Sequence, residues 1–149
     1  MDHCIIYISA ASDDFNPDTL DQIAQIACVN NKPLNVTGML LYSGTHFLQV
    51  LEGKEELVQY VLKRIKNDAR HVNIEVIMDS PIEKRNFSEW YMGVLDVSRN
   101  MKLDREQFKF ITAQALCDPI AAGRAALTVL KLFRTELPDP LARFKKKTA

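Results

Sequence analysis

The sequence contains little of what several common protein classes require. Its three cysteines, Cys4, Cys28 and Cys117, are far apart and are never spaced as a C-x-x-C pair. An odd number of isolated cysteines argues against a disulfide framework and is typical of reduced thiols in the cytoplasm. No apolar run approaches the roughly 20 residues that span a bilayer, and the N-terminus does not resemble a secretory signal. We therefore expect a cytoplasmic protein with no membrane partner.

The sequence also has no excess of charge of either sign. Nineteen basic side chains balance nineteen acidic ones, so the formal net charge is +0. Proteins that bind nucleic acids usually carry a basic surface that neutralises phosphates. The charge balance therefore predicts that nucleic acid is not a partner.

The motifs of common catalytic and metal sites are missing as well. His3, His46 and His71 are separated from one another and from every cysteine, which does not favour a metal site. The five glycines are too scattered for a phosphate-binding or dinucleotide-binding loop. No serine has the sequence context of a hydrolase nucleophile. The sequence therefore shows no standard hydrolytic or phosphoryl-transfer machinery.

The residues that are present predict one α+β domain. The length of 149 residues and the 47% apolar content fit a single ordinary globular core. Hydrophobic periodicity predicts two helices, from Pro17 to about Asn31 and over residues 55–67. Strands are predicted over residues 4–9, 37–42, 46–52, 73–79 and 90–97, with a turn region over residues 80–87.

The order β-α-β-β-α-β-β is that of a ferredoxin-like sheet with one added strand, with both helices on one face. Beyond Asn100 the pattern changes, and residues 104–117 and 119–136 are predicted to form two C-terminal helices. These helices could cover the other face of the sheet or lie at an interface.

Some polar residues fall where a sheet core should be apolar. Tyr7 and Ser9 are two apart in the first strand and share a face, and Gln49 shares a face with Phe47 and Leu51. A buried polar group that stays unpaired costs on the order of 1–3 kcal/mol, so the Gln49 amide needs partners. Those partners could be backbone groups, Tyr7 or a ligand, and periodicity alone predicts only an α/β sandwich with a polar pocket.

Four further residues have an ordinary structural explanation at this point. Asn30 and Asn31 are typical of a helix end followed by a turn. Trp90 and Met92 are, by default, core residues of the fifth strand.

Several separated motifs together resemble BLUF domains, a family of flavin-binding blue-light sensors. The resemblance covers about residues 4–97 and is specific because the motifs follow the family's order. It divides the chain into a BLUF domain at residues 1–97 and a C-terminal helical extension at residues 98–149. The motifs are Ile6-Tyr7-Ile8-Ser9, Asn30-Asn31 to Gly38, Leu41-Tyr42-Ser43, Phe47 to Gly53, Arg64-Ile65 with Asp68 to His71, Pro81-Ile82 with Arg85 to Phe87, and Trp90 to Gly93.

The resemblance implies a non-covalent flavin, usually FAD, with FMN or riboflavin as alternatives, held between the two predicted helices. Tyr7 would be the light-driven electron and proton donor. Gln49 would lie between Tyr7 and the flavin ring and rearrange its amide. Ser9, Trp90 and Met92 would surround this glutamine and sense its state.

The resemblance also implies which residues hold the cofactor. Asn31 would bond the carbonyl edge of the ring, with Asn30 supporting the same side. Arg64, Asp68 and Arg70 would meet the ribityl chain and phosphates, and His71 would contribute there. Ile65 is a further cofactor-binding residue.

The function implied is a blue-light photoreceptor without enzymatic output, which signals to a downstream protein or through a homo-oligomer interface. Two other classes remain open at this stage. One is a small flavin-dependent oxidoreductase whose pocket admits a substrate, and the other is a ferredoxin-like interaction module without a cofactor.

Overall fold

The computed structural model describes residues 1–98 and 119–134 of the chain. The strands are β1 (Asp2–Ala11), β2 (Thr37–Tyr42), β3 (His46–Gly53), β4 (His71–Ile82) and β5 (Gly93–Asp96). The helices are α1 (Leu20–Asn31), α2 (Glu55–Lys66) and α3 (Pro119–Arg134), and a short 3-10 helix (Pro17–Thr19) precedes α1.

The strands form one sheet in the order β4-β1-β3-β2-β5. The neighbours β4, β1, β3 and β2 are antiparallel, whereas β5 lies parallel to β2 at the far edge. The predicted strand and helix order is confirmed, and so is the α+β, ferredoxin-like fold with one added strand.

Alternate residues of the sheet pack into two separate cores. Ile5 and Tyr7 of β1 belong to the core beneath α1 and α2, on what we call the α1/α2 face. Ile6 and Ile8 point the other way, into a core that α3 completes, on what we call the α3 face. The sheet is therefore the middle layer of three, as the period of two along each strand requires.

Helix α3 lies very close to the backbone of β4. A Cβ atom added at Gly123 would lie 2.8 Å from the Ile77 carbonyl oxygen, so only glycine fits there without a shift. The β1–β4 register changes between Ile6 and Tyr7, which places Ile77 in a bulge of β4. The predicted helix at residues 104–117 lies outside the described residues.

Three local predictions need correction. The turn predicted to start at Ser80 is wrong, because β4 continues through Pro81 to Ile82. Proline is tolerated there since β4 is an edge strand, where a missing N–H leaves no neighbouring strand unpaired. The fifth strand is shorter than predicted and begins at Gly93, so Trp90 and Met92 precede it.

The third correction concerns the start of the first helix. Asn16 caps as predicted, with Oδ1 accepting the Asp18 N–H at 3.0 Å, but it caps the short 3-10 helix rather than α1 itself. In the two described ranges, no helix is both long and apolar enough to cross a membrane.

Candidate functional site

A half-open cleft lies between α1 and α2 above the centre of the sheet. Its empty volume, including the solvent at its mouth, is ≈ 940 Å³. Strands β1 and β3 form its floor through Tyr7, Phe47 and Gln49, and the two helices form its walls. The cleft is therefore built on the α1/α2 face alone.

The helix walls follow from helical spacing. On α1, Ile23, Ala27 and Asn30 recur at intervals of four and three residues and so present one stripe to the cleft. On α2, Arg64 and Ile65 reach the same space near the last turn. Of the apolar wall residues, Ile65 was expected at the cofactor, whereas Ile23 and Ala27 were not, although their spacing in the predicted helix could have identified them.

Tyr7 and Gln49 form a buried hydrogen-bonded pair on the floor. They are direct partners in the β1–β3 register, and their exposures are only 1% and 5%. The Tyr7 hydroxyl donates to Gln49 Oε1, and Gln49 Nε2 donates to the Met92 sulfur at 3.2 Å. Both ends of the amide are thus bonded within the protein, and one of the partners considered from the sequence, Tyr7, is the observed one.

The surroundings of Tyr7 keep its phenol protonated. Burial raises the pKa of Tyr7 above its ordinary value, and the negative charge of Asp68 adds to that rise. The hydroxyl proton therefore stays on Tyr7 in the resting protein, where it occupies the bond to Gln49 Oε1.

The segment before β5 is fastened to α1. Asn31 Nδ2 donates to the Tyr91 carbonyl at 3.0 Å, and the Cys28 thiol donates to the Met92 carbonyl at 3.6 Å. A primary amide has two N–H groups and an oxygen, so Asn31 retains capacity to bond a ligand in the cleft. Neither Cys28 nor its bond to Met92 was anticipated from the sequence.

His71 connects the floor of the cleft to the end of α2. Its Nε2 lies 2.8 Å from the Ile65 carbonyl oxygen, which can only accept, so Nε2 carries the hydrogen. In the neutral ring, Nδ1 then accepts from the Ser9 hydroxyl at 3.1 Å. The ring also packs edge-on against Tyr7, with a centroid separation of 5.9 Å.

The mouth of the cleft carries charge. Arg70 Nε contacts both oxygens of Asp68 at 2.9 Å, and the Arg64 guanidinium lies 5.9 Å from the centre of the Tyr60 ring. The hydrogen bond from Arg70 lowers the pKa of Asp68 below its ordinary value, against the effect of burial. Two guanidinium groups at one opening favour an anionic part of a ligand.

The structure brings most of the predicted site residues to the cleft and leaves two away from it. Ser9 does not line the cleft and contacts it through His71. Trp90 is also not among the lining residues, and its carbonyl accepts the Gly38 N–H at 3.0 Å. Those that line it are Tyr7, Asn30, Asn31, Gln49, Arg64, Ile65, Asp68, Arg70, His71 and Met92.

The residue types in the cleft fit a flavin nucleotide. A flat ring system needs apolar walls, which Ile23, Ala27 and Ile65 supply, and amides at its polar edge, which Asn31 and Gln49 supply. Phosphates need cations at the opening, where the two arginines lie. Across residues 1–98 and 119–134, no group of three metal-ligating side chains converges, so nothing there suggests a metal ion instead.

Comparison with known proteins identifies the family. The BLUF family, described as sensors of blue light using FAD, matches residues 3–93. This match covers more than half of the chain, and the chain therefore belongs to the BLUF family. It is a blue-light sensor domain whose family cofactor is FAD.

The curated relatives are light-regulated proteins. The chain is 34% identical over 106 residues to the "Blue light- and temperature-regulated antirepressor BluF" of Escherichia coli, covering 71% of this chain and 26% of that protein. It is 34% identical over 90 residues to "Photoactivated adenylate cyclase subunit alpha" of Euglena gracilis, covering 59% and 9% respectively. The match thus covers only 26% and 9% of the lengths of these two relatives.

Solved structures show the same fold. A BLUF protein in its dark state, BlrB, superimposes with a TM-score of 0.68 at 26% identity, covering 87% of this chain and 95% of that one. BlrP1 from Klebsiella pneumoniae, solved as a manganese and cyclic-di-GMP complex, superimposes with a TM-score of 0.66 at 30% identity, covering 95% and 36%. These neighbours and the light-regulated relatives do not favour a flavin oxidoreductase.

Proposed function

We propose that this chain is a blue-light photoreceptor in which Tyr7 and Gln49 convert light absorption into a rearranged hydrogen-bond network. The observation that carries the proposal is the buried Tyr7–Gln49–Met92 series on the floor of the cleft. When bound, FAD supplies the absorption of blue light and an acceptor for one electron.

Tyr7 is the group suited to give up that electron. Its phenol lies on the cleft floor, and burial keeps it protonated, so loss of an electron makes the hydroxyl proton strongly acidic. The proton acceptor in contact is Gln49 Oε1. Electron and proton can therefore leave Tyr7 by different routes.

Gln49 is the group suited to change its hydrogen bonds after Tyr7 has lost an electron. Its amide presents an acceptor to Tyr7 and a donor to Met92, and rotation or tautomerisation of the amide exchanges these roles. Such an exchange rewires the hydrogen bonds with little change in volume, which a close-packed floor permits.

The cofactor-binding roles follow the positions in the cleft. We propose that Asn31 and Asn30 bond the polar edge of the ring and that Ile65 packs against its plane. Arg64 and Arg70 would meet the phosphates, with Asp68 orienting Arg70. Binding would be non-covalent, since no cysteine is among the described residues that line the cleft.

Absorption spectra test the proposal. The protein loaded with FAD should show a small reversible red shift of the flavin band after blue light, and Tyr7→Phe should abolish it by removing the phenolic proton. Tyr42→Phe is the matched control, because Tyr42 is a buried tyrosine on the same face whose hydroxyl bonds the Gly44 carbonyl at 2.9 Å. A full shift in Tyr7→Phe would contradict the assignment and point to another donor such as Trp90.

The output of the sensor is proposed to be a protein contact rather than a reaction. We propose that this chain acts in the cytoplasm without enzymatic activity of its own and signals to a partner protein or a second copy. Ile120 and Leu132 of α3 are 71% and 57% exposed, which supports an interface on that helix. Light-regulated relatives that are named as a cyclase and an antirepressor also support coupling to a downstream protein.

Hydrogen exchange tests how the signal leaves the cleft. The light-induced change at Gln49 should alter protection over residues 90–97, because Met92 is the sulfur acceptor of the amide and lies directly before β5. Met92→Ala should weaken this change while leaving the spectral shift. Since a few hydrogen bonds contribute roughly 0.5–1.5 kcal/mol each, a partial population shift is expected. Identical exchange in dark and light over these residues would contradict this route.

A further inference from the structure

Glu52 is a fully buried carboxylate that the photochemistry described above does not use. It lies on β3 three residues after Gln49, and its exposure is 0%. Leu48 and Val50 lie four and two residues before it in the same strand, so all three side chains are on the same side of the sheet. Glu52 therefore belongs to the α3 face rather than to the cleft. Glu52 Oε2 accepts the Asn86 N–H at 2.8 Å, and Oε1 accepts the Phe87 N–H at 2.7 Å.

Both carboxyl oxygens of Glu52 accept backbone N–H groups, which is the pattern of an ionised carboxylate. A buried carboxylate is tolerated only when hydrogen bonds and nearby charge compensate for lost water. Burial raises the pKa of Glu52 above its ordinary value, and the two backbone N–H groups and the charge of Arg85 offset only part of that rise. Arg85 is itself fixed by Asp2 at 2.7 Å and by the Asn35 carbonyl at 2.8 Å.

The segment that Glu52 holds runs from one face of the sheet to the other. Phe87, whose exposure is 0%, is part of the core on the α3 face. Met92, five residues later, is buried on the α1/α2 face against the Gln49 amide. Residues 86–92 therefore connect the photoactive pair to the core beneath α3.

The same segment is fixed at a second point on β2. The Trp90 carbonyl accepts the Gly38 N–H at 3.0 Å. A Cβ at Gly38 would lie 2.0 Å from the Val50 carbonyl oxygen, so the backbones of β2 and β3 approach too closely at Gly38 for any other residue. With Glu52 at one end and Gly38 near the other, little freedom remains for the position of Met92.

We propose that Glu52 is a positioning residue for the light response: by fixing Asn86 and Phe87 it holds the Met92 sulfur where the Gln49 amide can donate to it. This inference rests on the proposed function, in which the Gln49 amide is the group that changes.

The test is Glu52→Gln in the full chain loaded with FAD. A carboxylate offers two acceptors to the two N–H groups, whereas an amide offers one acceptor and turns its own donors towards the other N–H. Loss of one bond to a charged acceptor corresponds to a change of about tenfold or more in a rate that depends on it. We expect the rate of dark recovery to change by about this factor, with the flavin still bound and the red shift still present.

Asp79→Asn is the control for a general loss of stability. Asp79 also accepts two side-chain hydrogen bonds, from His3 and from Gln59, and both of these partners lie outside residues 86–92. This variant should unfold at a lower temperature than the wild type, and its dark recovery after illumination should proceed at the wild-type rate. If Glu52→Gln is destabilised but also recovers at the wild-type rate, Glu52 is merely structural and the inference is overturned.

Two further readouts complete the test. If Glu52→Gln does not fold, hydrogen exchange in the wild-type protein tests the inference instead. The Asn86 and Phe87 amides should then exchange only through global unfolding, both in the dark and in the light. Rapid exchange of either amide would overturn the inference. The failure of the proposed function would be separate and visible beforehand, since the wild-type protein would then show no light-induced shift.

Discussion

The two faces of the sheet differ most clearly at two neighbouring residue pairs. Tyr7 pairs with Gln49, and the next pair in the β1–β3 register is Ile6 with Val50. Tyr7 and Gln49 line a cleft that opens to solvent, whereas Ile6 and Val50 are fully buried in the core that α3 closes. One residue along each strand thus separates a polar, ligand-accessible floor from an apolar, close-packed core.

The difference assigns most of the apolar packing and the light-induced red shift to opposite faces. A cleft floor with a phenol and an amide gives up apolar contacts that a closed core would have, as functional sites often do. The α3 face supplies such contacts through α3, whose Leu130 and Phe133 are almost completely buried. Substitutions of apolar core residues on the α3 face should therefore lower stability and leave the light-induced red shift in place, whereas substitutions on the cleft floor should change the red shift.

The largest expected effect on stability is on the α3 face. Leu130→Ala should lower the free energy of unfolding by about 2–5 kcal/mol, because it leaves a cavity in a fully buried position. Urea denaturation measures the loss, and the red shift of the folded protein should remain. Leu132→Ala, at a position 57% exposed on the same helix, should stay within about 0.5 kcal/mol of wild type. Equal losses in the two variants would show that α3 does not pack as described.

A smaller effect is expected at the rim of the cleft. The hydrogen bond from Arg70 lowers the folded-state pKa of Asp68, so its contribution is present above the unfolded-state pKa of about 3.9 and is lost as the pH falls through the folded value. The pair is partly exposed, which limits the contribution to roughly 0.2–1 kcal/mol. At pH 7 the Asp68→Asn variant should therefore unfold at a slightly lower temperature than the wild type.

Thermal unfolding of wild type and Asp68→Asn at several pH values checks this sign. The small difference between the two proteins should shrink as the pH falls below about 4. A difference that grows on acidification would mean that Asp68 does not carry a lowered pKa in the folded protein.

Much of the fold was predictable because the sequence patterns are local. The alternation in β1 and β3 predicted which side chains share a face with Tyr7 and with Gln49, and the helical spacing predicted α1 and α2. The roles of Tyr7 and Gln49 came only from the resemblance to BLUF domains. The extent of β4 was not predictable, since a proline normally ends a strand and only the edge position of β4 accommodates Pro81. The position of Met92 before β5 was also missed, because its segment is fixed by distant bonds to Asn31 and Cys28 on α1.

The site was predictable to the extent that its residues stand out in their strands. Gln49 did so as a polar residue between apolar ones, and Glu52 in the same strand could have been recognised by the same argument. Its partners could not, since backbone N–H groups of Asn86 and Phe87 have no sequence signature. The bulge at Ile77 and the approach of Gly123 likewise depend on how β4 and α3 meet.

The most direct test of the account compares the light-minus-dark absorption spectra of Gln49→Ala and Val50→Ala, each loaded with FAD. The two variants truncate adjacent residues of β3 that face opposite sides of the sheet. The account predicts that Gln49→Ala binds flavin but shows no red shift, whereas Val50→Ala is less stable and keeps the full shift. A normal shift in Gln49→Ala, or loss of the shift in folded, flavin-loaded Val50→Ala, would contradict it.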